Sequence, residues 1–222
     1  MSLELFSTLK GMNLPAPRGV LQVGASYGQE MREFLENGIQ AGVFIEPLAE
    51  PYAHLSGICK QIPNYVAVNT LCTDEAGKEY TFHVASNGGQ SSSILKPARH
   101  LEEFDYVSFN QTQQLVSSTV DQVSGFLRSN GHAPVVDALD LLYMDTQGAE
   151  LKILMGSNAT LKNIKYIFTE VMRAELYEGQ HSFMQLCAYL DAVGFTLNNM
   201  YFNQNHAGDA LFIRKDVVGI RH

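Results

Sequence analysis

Five polar residues stand where an alternating strand–helix chain delivers side chains to a ligand. Glu46 ends the apolar run AGVFIE, Asp145 ends LLYMD and Glu170 ends YIFTE, while His206 and Asp209 lie in NQNHAGDA between the last two apolar runs. An acid at the carboxyl end of a parallel strand faces the crevice in which open α/β sheets bind ligands. Glu46 follows Gly24 by 22 positions, a spacing at which an acid accepts the ribose hydroxyls of an adenosine-containing ligand. Asp145, His206, Asp209 and Glu170, in that order of preference, are candidate general bases within such a crevice. An exposed side chain is the plainer account of His206. Glu150, the first acid of AELKIL, reads as helix-start chemistry, where the helix dipole favours negative charge.

The turn that would hold the ligand is VGASYG, residues 23–28, between an apolar run and a helical pattern. Gly24 and Gly28 can adopt positive φ or admit a close approach to the backbone. A tight βα turn with no ligand explains the glycines equally well, because GxxxG is a weaker signal than GxGxxG. Taken with Glu46, the turn indicates a nucleoside-containing ligand, for which NAD and S-adenosylmethionine both fit. The serines of SSSIL, residues 91–95, either bond a ligand or cap a turn, and the first reading is preferred.

The elements that must position these residues alternate. GVLQVG reads as a strand, GQEMREFLENG as a helix with Met31, Phe34 and Leu35 on its inner face, and AGVFIE as a second strand. A helix over Glu50 to Lys60 and the strand NYVAVNTL complete a βαβαβ unit, the pattern of a parallel sheet. KEYTFHVA looks like a strand on the rim, and residues 96–118 show no clear pattern. VDALDLLYMD and NIKYIFTEV read as strands, AELKILMGS and HSFMQLCAYLDAVG as helices, the latter with Phe183, Leu186, Leu190 and Val193 facing inward. FTLNNMYF and ALFIRK are joined by a loop too short for a crossover helix, so they must pair antiparallel.

Composition narrows the functional class. The 222 residues suffice for one buried domain, and the net charge of -8 argues against binding to nucleic-acid phosphates. Cys59, Cys72 and Cys187 have no CxxC spacing, which favours a reducing, cytoplasmic location without disulfides, and no spacing demands a catalytic metal. Glu4 and Lys10 interrupt the apolar start (Leu3, Phe6 and Leu9 at helical spacing), so the N-terminus is neither a signal peptide nor a membrane span.

VGASYG, FIEP, STVD (118–121), LLYMDTQGAELKILMGS and IFTEV occur in an order and spacing that resembles the FkbM-type S-adenosylmethionine-dependent methyltransferases, over residues 19 to 214 or so. The resemblance implies an α/β, three-layer Rossmann-like class I methyltransferase sheet, mostly parallel, in the order 3-2-1-4-5-7-6 with a C-terminal antiparallel hairpin. It also implies methyl transfer from S-adenosylmethionine to a hydroxyl of a sugar or natural-product-like acceptor, leaving S-adenosylhomocysteine. Carried over residue by residue, Gly24, Ala25, Ser26 and Gly28 would form the cofactor turn, Glu46 would bind the ribose, and Asp145 would lie beside the methionine end. The expected organisation is a lead-in over residues 1–18 and one methyltransferase domain over 19–222. The family usually has Asp where Gln22 stands, Asn at Ser26 and Glu at Gln147. Losing two carboxylates leaves a non-catalytic binding module of the same fold as an alternative. An NAD-dependent oxidoreductase would share the turn and Glu46, but not the missing GxGxxG or the terminal hairpin.

Overall fold

A parallel strand covered by helices on both faces must be apolar along its whole length, and GVLQV meets that demand except at Gln22. In the computed structural model, which describes residues 4–219, it forms β1 (Gly19–Val23), buried at every position. Before it, α1 (Leu5–Gly11) buries Leu5 and Leu9 in the same apolar layer as Val20. Next come α2 (Met31–Glu36), β2 (Ala41–Ile45), α3 (Ala49–Cys59) and β3 (Tyr65–Val68). The middle of the chain supplies β4 (Leu71–Cys72), β5 (Glu79–Val84), α4 (His100–Glu103) and β6 (Gln111–Ser118). Then follow α5 (Val120–Leu127), α6 (Ala133–Ala138), β7 (Leu141–Met144), α7 (Glu150–Met155), β8 (Tyr166–Met172), α8 (Phe183–Ala192), β9 (Phe195–Phe202) and β10 (Ala207–Arg214).

Seven strands form the main sheet in the order β3-β2-β1-β7-β8-β10-β9. β10 alone runs against its neighbours, antiparallel to both β8 and β9. One face carries Leu142, Met144 and Ile167 against α5 to α8, and the other carries Val20, Tyr166 and Phe168 against α1 to α3. This is the three-layer class I methyltransferase architecture with its antiparallel C-terminal pair. The amino ends of three strands are pinned by buried Asp140, which accepts from the Arg18 and Gly19 N–H groups at 2.7 and 3.3 Å and lies 3.2 Å from Lys165 Nζ. Among the described residues no helix is long and apolar enough to cross a membrane.

The structure departs from the sequence reading in several places. Residues 96–118 contain α4 and β6, and β6 joins β4 and β5 in a second, three-stranded sheet. Most of β6 is exposed, so it carries no apolar alternation to read. VDALDLLYMD is a strand only over Leu141–Met144, because α6 occupies Ala133–Ala138 with a proline in its first turn. Leu35 is exposed while Met31 and Phe34 are buried, since α2 is only 6 residues long. Asp209 lies within β10 rather than in the loop. Leu3 and residues 220–222, both included in the sequence reading, fall outside the described residues.

Gly24 has φ +81°, and a methyl group built on it would lie 1.9 Å from the Asp145 carbonyl oxygen. The group that approaches this backbone is therefore the chain itself, where β1 and β7 run out side by side. At Gly28, φ +80°, the crowding comes from Leu55 and Met31 side chains. Gly24→Ala adds steric overlap to a disfavoured φ and should destabilise by at least about 2 kcal/mol; urea denaturation measures it, and a loss below 0.5 kcal/mol or so would contradict the crossing.

Candidate active site

At the carboxyl edge of the sheet a pocket enclosing about 550 Å³ out to its mouth is lined by Gly24, Ser26, Glu46 and Asp145, with Leu48, Leu71, Phe82 and Ile94 as apolar walls. The small sheet supplies part of this wall, because Leu48, Leu71 and Phe82 pack as one cluster. Glu46 is 5% exposed, and its two carboxylate oxygens accept from the Ser26 N–H and the Leu48 N–H, each at 2.8 Å. Burial pushes its pKa up to about 7, although both backbone bonds favour the ionised form. Each oxygen keeps a lone pair for a further donor, so the site suits a ligand with paired hydroxyls. Ala25 is fully buried, with its N–H on the Ile45 carbonyl, and Gly28 donates to the Ala25 carbonyl. Those two shape the turn from behind and are absent from the pocket wall.

Asp145 lies just past β7, while Glu170, expected at a strand end, lies within β8, and the two are joined by Gln147. Its amide nitrogen donates to Asp145 Oδ1 at 2.7 Å and to Glu170 Oε2 at 2.8 Å. The Tyr177 hydroxyl lies 2.7 Å from Gln147 Oε1 and 2.9 Å from the Ser91 carbonyl. Asp145 is open to the cleft yet lies deep among protein atoms. Burial raises the pKa of both acids, and the nearby Asp145 charge raises Glu170 well above the ordinary range. Contact between the two carboxyls raises Glu170 and lowers Asp145, so Glu170 is the member that holds a proton more readily.

Glu150 closes this turn, accepting from the Thr146 N–H at 3.0 Å, the Thr146 hydroxyl at 2.9 Å and the Gly148 N–H at 3.2 Å. Its role is helix-start chemistry, as its position suggests. The serine-rich loop is likewise occupied internally: Ser92 Oγ accepts from the Ala85 N–H, and Ser93 Oγ donates to the Gln147 carbonyl. Beside the pocket runs a groove of about 1130 Å³, sharing Leu48 and Gly89 and lined by Tyr27, Ser86, Ser108, Asn110 and Gln113.

Asp209 sits opposite Glu170 in the β8–β10 register and adds to its raised pKa. His206 lies at the rim with φ +65°; its Nδ1 accepts from Arg173 Nε at 3.0 Å, and its Nε2 is 3.7 Å from Glu103. Its acceptor nitrogen is already engaged, so the structure does not bring it to the acid pair. Gln22 is 1% exposed and donates to Glu30 at 2.8 Å, while its own carbonyl oxygen has no partner among the described residues. Among those residues no group of three or more His, Cys, Asp or Glu could hold a metal ion. Sequence reasoning missed Tyr177 and the bridging role of Gln147, and it singled out Ser93 without its bond to the Gln147 main chain. Only the DTQG turn hinted at the bridge, and Tyr177 carries no local signal at all.

A family model described as the methyltransferase FkbM domain matches residues 22–197. The 2-O-methyltransferase NoeI of Sinorhizobium fredii (strain NBRC 101917 / NGR234) is 28% identical over 182 residues, covering 78% of this chain and 69% of that protein. Among solved structures, that of a fibrillarin/Nop5p complex superposes with a TM-score of 0.51 at 14% identity, covering 90% of this chain and 74% of that one. A SAM dependent methyltransferase from Aquifex aeolicus gives 0.49 at 12% identity, covering 94% and 88%. The likeness to the fibrillarin complex bears on the fold alone.

A carboxyl whose folded pKa is about 7 rather than 4.5 binds its proton more tightly when folded. Its contribution to stability therefore falls as pH rises from 4.5 to about 7, by about 3 kcal/mol. Glu46→Gln cannot titrate. Its stability relative to the native protein should improve between pH 5 and pH 8, measured by urea denaturation; an unchanged difference would mean that Glu46 is ionised throughout.

Proposed function

The chain belongs to the methyltransferase FkbM domain family and is an S-adenosylmethionine-dependent methyltransferase, and from that premise we propose that it methylates a hydroxyl oxygen, with Asp145 as general base and Glu170 as its protonated partner. The observation that carries this reading is that Asp145 belongs to two sites at once, lining the pocket beside Glu46 and sharing the Gln147 amide with Glu170.

The residues present suit the cofactor. Glu46 would accept the ribose hydroxyls, Leu48, Leu71 and Phe82 would cover the base, and Gly24 and Ser26 would lie along the methionine part, with Ala25 and Gly28 supporting the turn. S-adenosylmethionine, when bound, supplies a methyl group on a positively charged sulfur. The chain's own residues supply the rest. Burial raises the Asp145 pKa, which makes it a stronger base nearer neutral pH. Glu170 holds its proton and so does not compete for the one Asp145 accepts. Alignment within a closed site contributes further rate, because displacement at a methyl carbon is in-line. Asp209 and His206 act at the margin, Asp209 through its charge on Glu170 and His206 through the Arg173 contact.

The acceptor reading, a sugar or natural-product-like hydroxyl compound, draws support from the neutral hydrogen-bonding side chains of the adjoining groove and from the oxygen-methylating relative. Gln22 and Gln147 do not disable the site on this reading, because each donates to a carboxylate instead of leaving one unpaired. Free Cys59, Cys72 and Cys187 suit a reducing, cytoplasmic setting.

Titration calorimetry with S-adenosylhomocysteine should give binding that Glu46→Ala weakens about 10- to 100-fold, from lost hydrogen bonds to a charged acceptor, with no binding of NAD. A folded protein that ignores S-adenosylhomocysteine would support the non-catalytic alternative. In a screen of glycans and hydroxylated small molecules with labelled S-adenosylmethionine, Asp145→Asn should lower turnover about 10²- to 10⁴-fold. Label recovered on nitrogen instead of oxygen would refute the acceptor assignment.

A further inference from the structure

Gln147 occupies an improbable backbone position for its residue type. Its φ is +56°, beside Gly148 at +93°, and an ordinary side chain in that region costs roughly 1 to 3 kcal/mol. Such a conformation persists only where its surroundings hold it. Here the Ser93 hydroxyl holds the Gln147 carbonyl at 2.8 Å, and the Tyr177 hydroxyl meets Oε1 at 2.7 Å. The side chain is 9% exposed. The two acids fix which way the amide faces: exchanging its oxygen and nitrogen would turn the oxygen toward two carboxyl groups and remove the donor that each accepts from.

We infer that Gln147 is the positioning residue of the acid pair: its amide hydrogens, one spent on each acid at 2.7 and 2.8 Å, lock Asp145 and Glu170 into a proton-sharing unit that faces the cleft. The catalytic role of the pair rests on the reading above; its geometry does not. A neutral amide is suited to this place because it donates twice without adding charge. A glutamate of the same shape would bring a third carboxyl and no donor when ionised. An apolar residue would take the donor from the ionised member and favour a second proton on the pair.

The groups whose charge acts on the pair are acidic, and His181 lines the small pocket beside Glu170. Glu30 acts on Asp145 from the start of α2, Glu150 acts on Glu170 from α7, and Asp209 acts on Glu170 from β10. Tyr143 and Tyr177 are neutral, each with its pKa raised by burial and by these acids. The amide is therefore the donor through which the ionised member of the pair is held, alongside the proton on the other.

The test is an NMR titration of the full chain carrying ¹³C at Asp and Glu carboxyl carbons, with Asp145 and Glu170 assigned by single substitution. In the native protein the two resonances should move together, in two coupled steps displaced above the ordinary carboxylate range. Gln147→Leu should raise the lower step by about one pH unit, as expected for loss of a hydrogen bond to a charged acceptor. Gln147→Glu should add a third coupled step and raise the uppermost one. Tyr177→Phe keeps the amide but removes its anchor, and should shift the lower step in the same direction by less. Native resonances that titrate independently in the ordinary range would overturn the proposal. So would unchanged midpoints in Gln147→Leu, or, should that variant fail to fold, in both Gln147→Glu and Tyr177→Phe. S-adenosylhomocysteine calorimetry on the same samples reports the cofactor reading separately. Shifts without binding would leave the acid pair standing and remove its assigned chemistry.

Discussion

The whole carboxyl edge depends on how closely the ends of β1 and β7 approach. At Gly24 the Asp145 carbonyl occupies space that any side chain would fill, and the Asp145 N–H donates to the Val23 carbonyl at 3.2 Å. That contact sets two loops side by side, the turn that Glu46 braces through Ser26 and the turn that Gln147 braces through the acid pair. One loop walls the pocket and the other carries the acid pair, so pocket and pair meet at one corner of the sheet.

Among the described residues five other than glycine have positive φ: Asn13 and Asn64 precede β1 and β3 and are of a type that tolerates it, whereas Ser26, Gln147 and His206 lie at the carboxyl edge, each held by a contact from another element. Glu46 accepts from the Ser26 N–H, Ser93 donates to the Gln147 carbonyl, and the Arg173 N–H donates to the His206 carbonyl at 2.9 Å. Conformations of this kind commonly mark sites where geometry matters more than stability. Here they also explain why the second sheet matters. It carries no reacting group, but the serine loop that follows β5 holds Gln147, and Phe82 on β5 closes the pocket.

Electrostatics follows from the same burial. Glu46, Asp145, Glu150 and Glu170 all have raised pKa values, in every case chiefly because burial disfavours the charged form. A cleft floored by acids that are reluctant to ionise suits a positively charged cofactor, whose arrival would favour the ionised forms. The neutral amides of Gln22 and Gln147 then limit how many acids compete for that charge.

Much of this was legible in the sequence, for a definite reason. The alternation of strands and helices, the antiparallel final pair and the placement of Glu46 and Asp145 just past strand ends follow from apolar runs and short connections, which are local constraints; the strand order rests on the family resemblance, and Glu170 lies within β8, two residues before its end. The three-stranded sheet was not legible, because β6 is polar on nearly every position and is held by pairing rather than by burial. Nor was the cause of Gly24, since the atom that excludes a side chain lies 121 residues along the chain. Apolar runs alone brought Glu46 and Asp145 to the pocket wall. That two acids share one amide, that Tyr177 holds this amide while Ser93 holds the main chain that carries it, and that His206 is turned to the rim emerge from the folded chain, because hydrogen bonds between distant segments leave no periodic trace in the residues that make them.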